Sequence, residues 1–268
     1  MTRITTLIEK ELREFRASPS IIVPVLIVVA VTLMIPFIVL VLVPRMTGEN
    51  VAEDPVIVKG IQFALQYMPS IAKLPPQAAA EAFLFQQFLS LFLLAPIVGA
   101  GSLAAYSVVG EKQGRTLEPL LTTPLTTVEL LLGKVIAAFL PSLVIEAIGV
   151  ALYFLLMSVF TTPGVLGAVV SWRTALLLGV IGPLGALVAL QATIAVSSRA
   201  NDPRSAQQIA VLLVLPLVAM LVGQVAGAFV LTTAILVGVA ALLAVVWVIL
   251  LLLSVALFDR EAILTRWR

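Results

Sequence analysis

Residues 205–258 run for 54 positions without an Asp, Glu, Lys or Arg. Built as one helix, that stretch would be about 81 Å long. The hydrocarbon of a bilayer is only about 30 Å thick. The segment must therefore double back, and the turn falls near residues 228–233. A soluble core is no alternative. The chain is 61% hydrophobic and 11% charged over 268 residues, against about 25% charged in a soluble domain. It has no His and no Cys. That removes thiol nucleophiles, disulfides, His-based acid–base catalysis and the usual zinc and haem ligand sets. A net charge of +2 gives no basic footprint for nucleic acid.

Charged residues mark where the apolar stretches end. Spans are expected at about 21–43, 82–109, 135–160 and 174–196, and the hairpin adds 207–227 and 234–258. The expectation is an all-α polytopic membrane protein with six transmembrane helices in one domain, 1–268. Its long external segment is 45–81, with short helices broken at Pro69 and Pro75-Pro76. An even number of spans puts both termini on one side. That side carries Arg3, Lys10, Arg13, Arg16, Lys112, Arg115, Lys134, Arg199, Arg204, Arg260, Arg266 and Arg268. The other carries only Arg45, Lys59, Lys73 and Arg173. By the positive-inside rule both termini are cytoplasmic. The first apolar run, which begins at Ile21 and is long enough to span, is expected to be a span rather than a cleaved signal peptide.

Residues 1–20 show helical periodicity. Ile4, Leu7, Ile8, Leu12 and Phe15 share one face, and Arg3, Glu9, Lys10, Arg13 and Glu14 cover the rest. This pattern suits a helix lying along the cytoplasmic surface of the bilayer. It also suits a solvent-facing helix packed on another element. Proline lies inside most spans, at Pro24, Pro36, Pro96, Pro141, Pro183 and Pro216, where neighbouring helices in a membrane compensate for the lost donor.

The cytoplasmic loop 111–134 is the most informative stretch. It reads Glu111-Lys112-Gln113-Gly114-Arg115-Thr116-Leu117-Glu118-Pro119-Leu120-Leu121-Thr122-Thr123-Pro124, and ends Glu129-Leu130-Leu131-Leu132-Gly133-Lys134. It is too long for a tight turn. Thr116 suits the cap of a short helix starting at Leu117. Such a segment is either a solvated connector or a helix that docks into a partner.

This stretch resembles the signature of the ABC-2 family of transporter permeases: an acidic–basic pair, Thr-Leu-Glu, Leu-Leu-x-x-Pro, then Glu-Leu-Leu-x-Gly-Lys. Arg115 stands where relatives often carry Gly, and Gly114 is one position early. The six spans and the N-terminal helix agree with the family. The resemblance implies that the loop is a coupling helix contacting a separate ATPase. Its contact residues would be Glu111, Gly114, Arg115, Thr116, Leu117, Glu118, Leu120, Leu121 and Pro124. It further implies a permease subunit, most simply of an exporter, in the cytoplasmic (inner) membrane of a prokaryote. Two ABC ATPase copies would carry the ATP and Mg, and a second permease copy or a homologous permease would complete the path among membrane lipids.

The sequence itself argues against ATP hydrolysis by this chain. A phosphate cradle reads Gly-x-x-x-x-Gly-Lys-[Ser/Thr]. Gly133-Lys134 is followed by Val135, and Val128 stands where the first Gly belongs. No cofactor is expected in the chain, and it is not expected to be an enzyme. Gly99-x-Gly101-x-x-Ala104 lies in an apolar span without a preceding strand, which makes it a helix-packing pattern rather than a dinucleotide fingerprint. Glu146 is the one carboxylate inside a span. It is a candidate for the translocation path, or else a neutral packing group. Gly223-x-x-x-Gly227 suits a close helix crossing, either to a second copy or within the chain. A secondary transporter would call for repeats and polar midplane groups, and only Glu146, Gln191 and Gln224 offer these. A membrane-embedded lipid-acting enzyme needs clustered acids or a metal site, and Glu53-Asp54 is the only adjacent acidic pair.

Overall fold

The computed structural model describes residues 3–17, 19–48, 51–114, 127–197, 208, 215–216, 218–224 and 231–257. Among these there are helices and turns and no strand. Helix α1 is Arg3–Ala17. The first span runs from α2 (Pro19–Phe37) through a π-turn at Ile38–Leu42 into α3 (Val43–Thr47). Beyond it come a short helix α4 (Pro55–Ala64) and a 3₁₀ turn at Ile71–Lys73. The second span joins α5 (Pro76–Leu89) to α6 (Leu94–Gln113) through a 3₁₀ turn at Ser90–Leu93. The third is α7 (Thr127–Phe160). After the single turn α8 (Val165–Val169), the fourth runs from α9 (Trp172–Leu176) through a π-turn at Leu177–Ile181 into α10 (Gly182–Ser197). The last is α11 (Thr233–Leu257).

Five of these helical stretches are long and apolar enough to cross a bilayer. About half of the expected span at 207–227 lies outside the described residues, and its described residues, 208, 215–216 and 218–224, are helical.

The irregular turns follow from the prolines. A proline lacks the N–H that would bond to the carbonyl four residues earlier, and its ring crowds that carbonyl. Pro44, Pro96 and Pro183 have as those partners Leu40, Phe92 and Gly179. Each partner lies inside one of the three non-α turns that interrupt the spans. The helix widens or tightens locally and continues.

Helix α6 is central, with α10 along one side and α7 along another. The approach is close because small residues line it. A Cβ added at Gly99 would lie 3.0 Å from Ser142 Cβ, and one at Gly101 would lie 3.5 Å from Thr193 Oγ1. Helices α2, α7 and α11 instead turn long apolar side chains outward. Met34, Leu155 and Leu252 are all more than half exposed, as suits walls whose solvent is hydrocarbon.

An aromatic cluster and a few hydrogen bonds tie the end of the bundle remote from α1. Tyr153 is fully buried and donates its hydroxyl to Phe85 O at 2.9 Å. Phe37, Phe85 and Phe92 surround it with ring centroids 5.5, 5.9 and 5.1 Å away. This joins the first three spans. The buried side chains of Gln87 and Gln224 bond reciprocally: Gln224 Nε2 donates to Gln87 Oε1 at 2.7 Å, and Gln87 Nε2 to Gln224 O at 3.1 Å. Both amide nitrogens and Gln87 Oε1 are engaged where water is scarce, whereas Gln224 Oε1 has no hydrogen-bond partner among the described residues.

Candidate functional site

Helix α1 lays one face on the start of α7. Leu7 and Phe15 are buried on that face, and between them, one turn from each, sits Glu11 with no exposed surface. The approach depends on Gly133. A Cβ there would come within 2.5 Å of Leu7 Cδ2 and 3.2 Å of Leu7 Cγ, so a larger residue would push α1 away.

Next to Gly133, Lys134 turns inward and is only 2% exposed. Its Nζ donates to Glu11 Oε1 at 3.0 Å, to Ser107 O at 3.0 Å and to Ser107 Oγ at 2.9 Å. Glu111 Oε2 lies 2.8 Å from the same ammonium, an ion-pair distance. Ser107 and Glu111 are one turn apart on α6, so they present to the same side. The other Glu111 oxygen accepts from Lys10 Nζ at 2.7 Å, and Lys10 also lies 3.4 Å from Glu14 and 3.7 Å from Glu11. Burial works against the charge on Lys10, but its hydrogen bond to Glu111 and the fields of Glu111, Glu11 and Glu14 outweigh it. Its pKa is raised above the ordinary lysine value of 10.5.

Three helices therefore meet at one ionic cluster: α1 through Lys10 and Glu11, α6 through Ser107 and Glu111, and α7 through Lys134. The cluster stands near the C-terminal end of α6 and the N-terminal end of α7, and α7 is longer than the hydrocarbon is thick. At 34 residues, α7 is about 51 Å long. Buried charges persist only when paired and hydrogen-bonded, and here each ammonium lies within ion-pair distance of at least two carboxylates.

Glu111 and Lys134 also bracket the loop 111–134. Of the contact residues expected in that loop, Glu111 is 5% exposed and belongs to the cluster. Gly114 closes α6, its N–H donating to Gly110 O at 2.8 Å. Arg115, Thr116, Leu117, Glu118, Leu120, Leu121 and Pro124 lie outside the described residues, as do Gly227 and the loop 198–204.

A scan of family models matches residues 5–236 to the ABC-2 family transporter proteins. The chain belongs to the ABC-2 family. It is thus a multi-pass membrane subunit of an ABC transporter, a class of subunit that works with an ABC ATPase. No curated protein matches it.

In this ABC-2 subunit the Gly133-Lys134 pair has a physical role. Gly133 admits α1, and Lys134 binds it. The sequence places Lys134 as a loop charge just ahead of the third span, whereas the helix begins earlier, at Thr127, and the ammonium is internal. Glu11 was not singled out at all. Its signal was available: it falls on the apolar face, four residues from both Leu7 and Phe15.

The other candidates are elsewhere. Glu146 is 5% exposed and packs against Gly182 of α10, where an added Cβ would lie 2.8 Å from its Oε1. That oxygen has no hydrogen-bond partner among the described residues. Gly223 is half-buried beside Gln224.

Proposed function

We propose that this chain forms the translocation path of an ATP-driven exporter and that the ionic cluster carries motion from the ATPase to the bundle. The supporting observation is that Lys134 and Glu111, at the two ends of the loop, hold the same face of α1. A push on the loop cannot move α6 or α7 alone without breaking buried charge pairs, so α1 and both helices move together. Two separate ATPase subunits supply ATP and Mg. This chain, lacking a phosphate cradle in its sequence, carries no hydrolytic role.

In this reading the loop 111–134 is cytoplasmic, with Leu117, Leu120 and Leu121 as its apolar docking ridge. Helix α1 lies at the cytoplasmic surface, and both termini are inside a prokaryotic inner membrane. The π- and 3₁₀ turns provide yielding points within the spans, which suits switching between inward- and outward-facing states. A second copy or a homologous permease completes the path, with Gly223 and Gly227 as its contact. Glu146 is the candidate polar group along it.

Replacing Leu120 and Leu121 by Ser tests the docking. The expected result is loss of the ATPase subunit from a detergent pull-down while the permease stays in the membrane. Full retention of the ATPase would reduce the loop to a connector. Orientation is tested separately with a cysteine at position 60, the chain having none of its own. An impermeant reagent should label it in intact cells.

A further inference from the structure

At the end of the bundle remote from the ionic cluster, two cavities adjoin. The first, about 400 Å³, lies between the end of the first span and the end of α7, and Arg45, Gln77, Glu81 and Thr161 give it a polar lining. The second, about 290 Å³, is lined by Leu33, Met34, Phe37, Ile38, Leu156 and their neighbours. Val41, Arg45 and Phe160 border both. Side by side they form a groove that is polar at one end and apolar at the other.

Its dimensions and charges specify an occupant. From Leu33 to Leu42 the helix rises about 14 Å, close to half of a 30 Å hydrocarbon layer. The apolar part therefore has the depth of one leaflet and an acyl chain's chemistry. At the polar end stand one cation and one carboxylate. Arg45 forms no ion pair with any described carboxylate. Glu81 is fixed in place by Thr162, whose N–H and hydroxyl donate to its two oxygens at 2.8 and 2.9 Å. Each carboxylate oxygen has a second acceptor site, so Glu81 retains capacity for another donor.

We infer that this groove binds a bilayer phospholipid with a zwitterionic, ammonium-bearing headgroup of the phosphatidylethanolamine class. The phosphate meets the Arg45 guanidinium, the ammonium meets Glu81, and one acyl chain lies along Leu33, Met34 and Phe37. An anionic lipid such as phosphatidylglycerol would satisfy Arg45 but offer Glu81 only neutral hydroxyl donors, without the charge that an ammonium brings. The proposed topology enters only in naming the leaflet, which is the outer one. Lipid binding and ATPase docking are measured independently, so failure of one leaves the other standing.

The test uses the full chain in nanodiscs of phosphatidylethanolamine and phosphatidylglycerol in equal amounts, with a trace of phosphatidylethanolamine carrying a photoactivatable acyl chain. The label is expected on peptides covering residues 33–45 and 156–162. Unlabelled phosphatidylethanolamine should compete better than phosphatidylglycerol. Arg45→Gln removes a charge-assisted contact and should reduce labelling about tenfold. Met34→Trp, at a side chain 57% exposed, fills the groove and should reduce it similarly. Glu81→Gln keeps an acceptor for Thr162 and should abolish the preference between the two lipids. Unchanged labelling in both R45Q and M34W would overturn the proposal. So would equal competition by phosphatidylglycerol in the unaltered protein, or cross-links from this groove to a second copy of the chain in place of lipid.

Discussion

Lys134→Met removes the ammonium on which α1, α6 and α7 converge. The two carboxylates it serves are affected unequally. Glu111 keeps Lys10 at 2.7 Å, whereas Glu11, wholly buried, keeps only the longer 3.7 Å contact with Lys10. One buried carboxylate thus loses its close counter-charge, at an expected cost of about 3 kcal/mol, the lower end for breaking a buried pair. The cost falls on the docking of α1. Hydrogen exchange of the α1 amides should therefore speed up by about a hundredfold. Transport-coupled ATPase activity should fall with it if the cluster transmits motion. The double variant Glu11→Gln/Lys134→Met removes both charges of the pair together. It should recover most of the protection, because exchanging a buried pair for neutral groups is often nearly neutral. Unchanged α1 exchange in the single variant, or a double variant that opens more than the single one, would refute the reasoning.

Gly133→Ala brings a methyl group into Leu7 and should loosen α1 by about 1–3 kcal/mol through overpacking, measured by the same exchange; a companion Leu7→Ala should restore the fit. The cysteine pair Leu7→Cys/Gly133→Cys should oxidise readily, since the two Cβ positions are 3.6 Å apart, within disulfide range; a failure to cross-link would show that α1 is not seated there. Lys10, with a pKa raised above 10.5, contributes stability that is complete below that value and lost as pH rises through its higher folded value. Protection of α1 should therefore be flat across neutral pH and decline only in strong alkali, and a decline near neutrality would contradict the assignment. Glu146→Gln should alter transport or coupled ATPase rate while assembly survives; a silent substitution would leave Glu146 as a packing group.

Much of the architecture was legible because a bilayer imposes a simple rule: uncharged runs of sufficient length become spans, and charges mark their ends. The rule marks the apolar stretches of the five helices long enough to cross; helical periodicity marks α1, and resemblance to the ABC-2 signature marks Glu111–Lys134. It misjudges charges that are buried against one another. Read one at a time, Lys134, Glu111 and Glu11 look like surface residues, since an isolated charge belongs in water. Their pairing joins positions 11, 107, 111 and 134, and nothing local connects the first to the others. Proline positions likewise announced irregular helices, yet which proline widens a turn and which tightens it depends on what packs beside the freed carbonyl. The composition of this chain determined that it is helical and embedded in a membrane. Only tertiary packing decided that α1 is fastened to both ends of the loop, because an ion pair survives burial only where three helices bring its partners within about 3 Å.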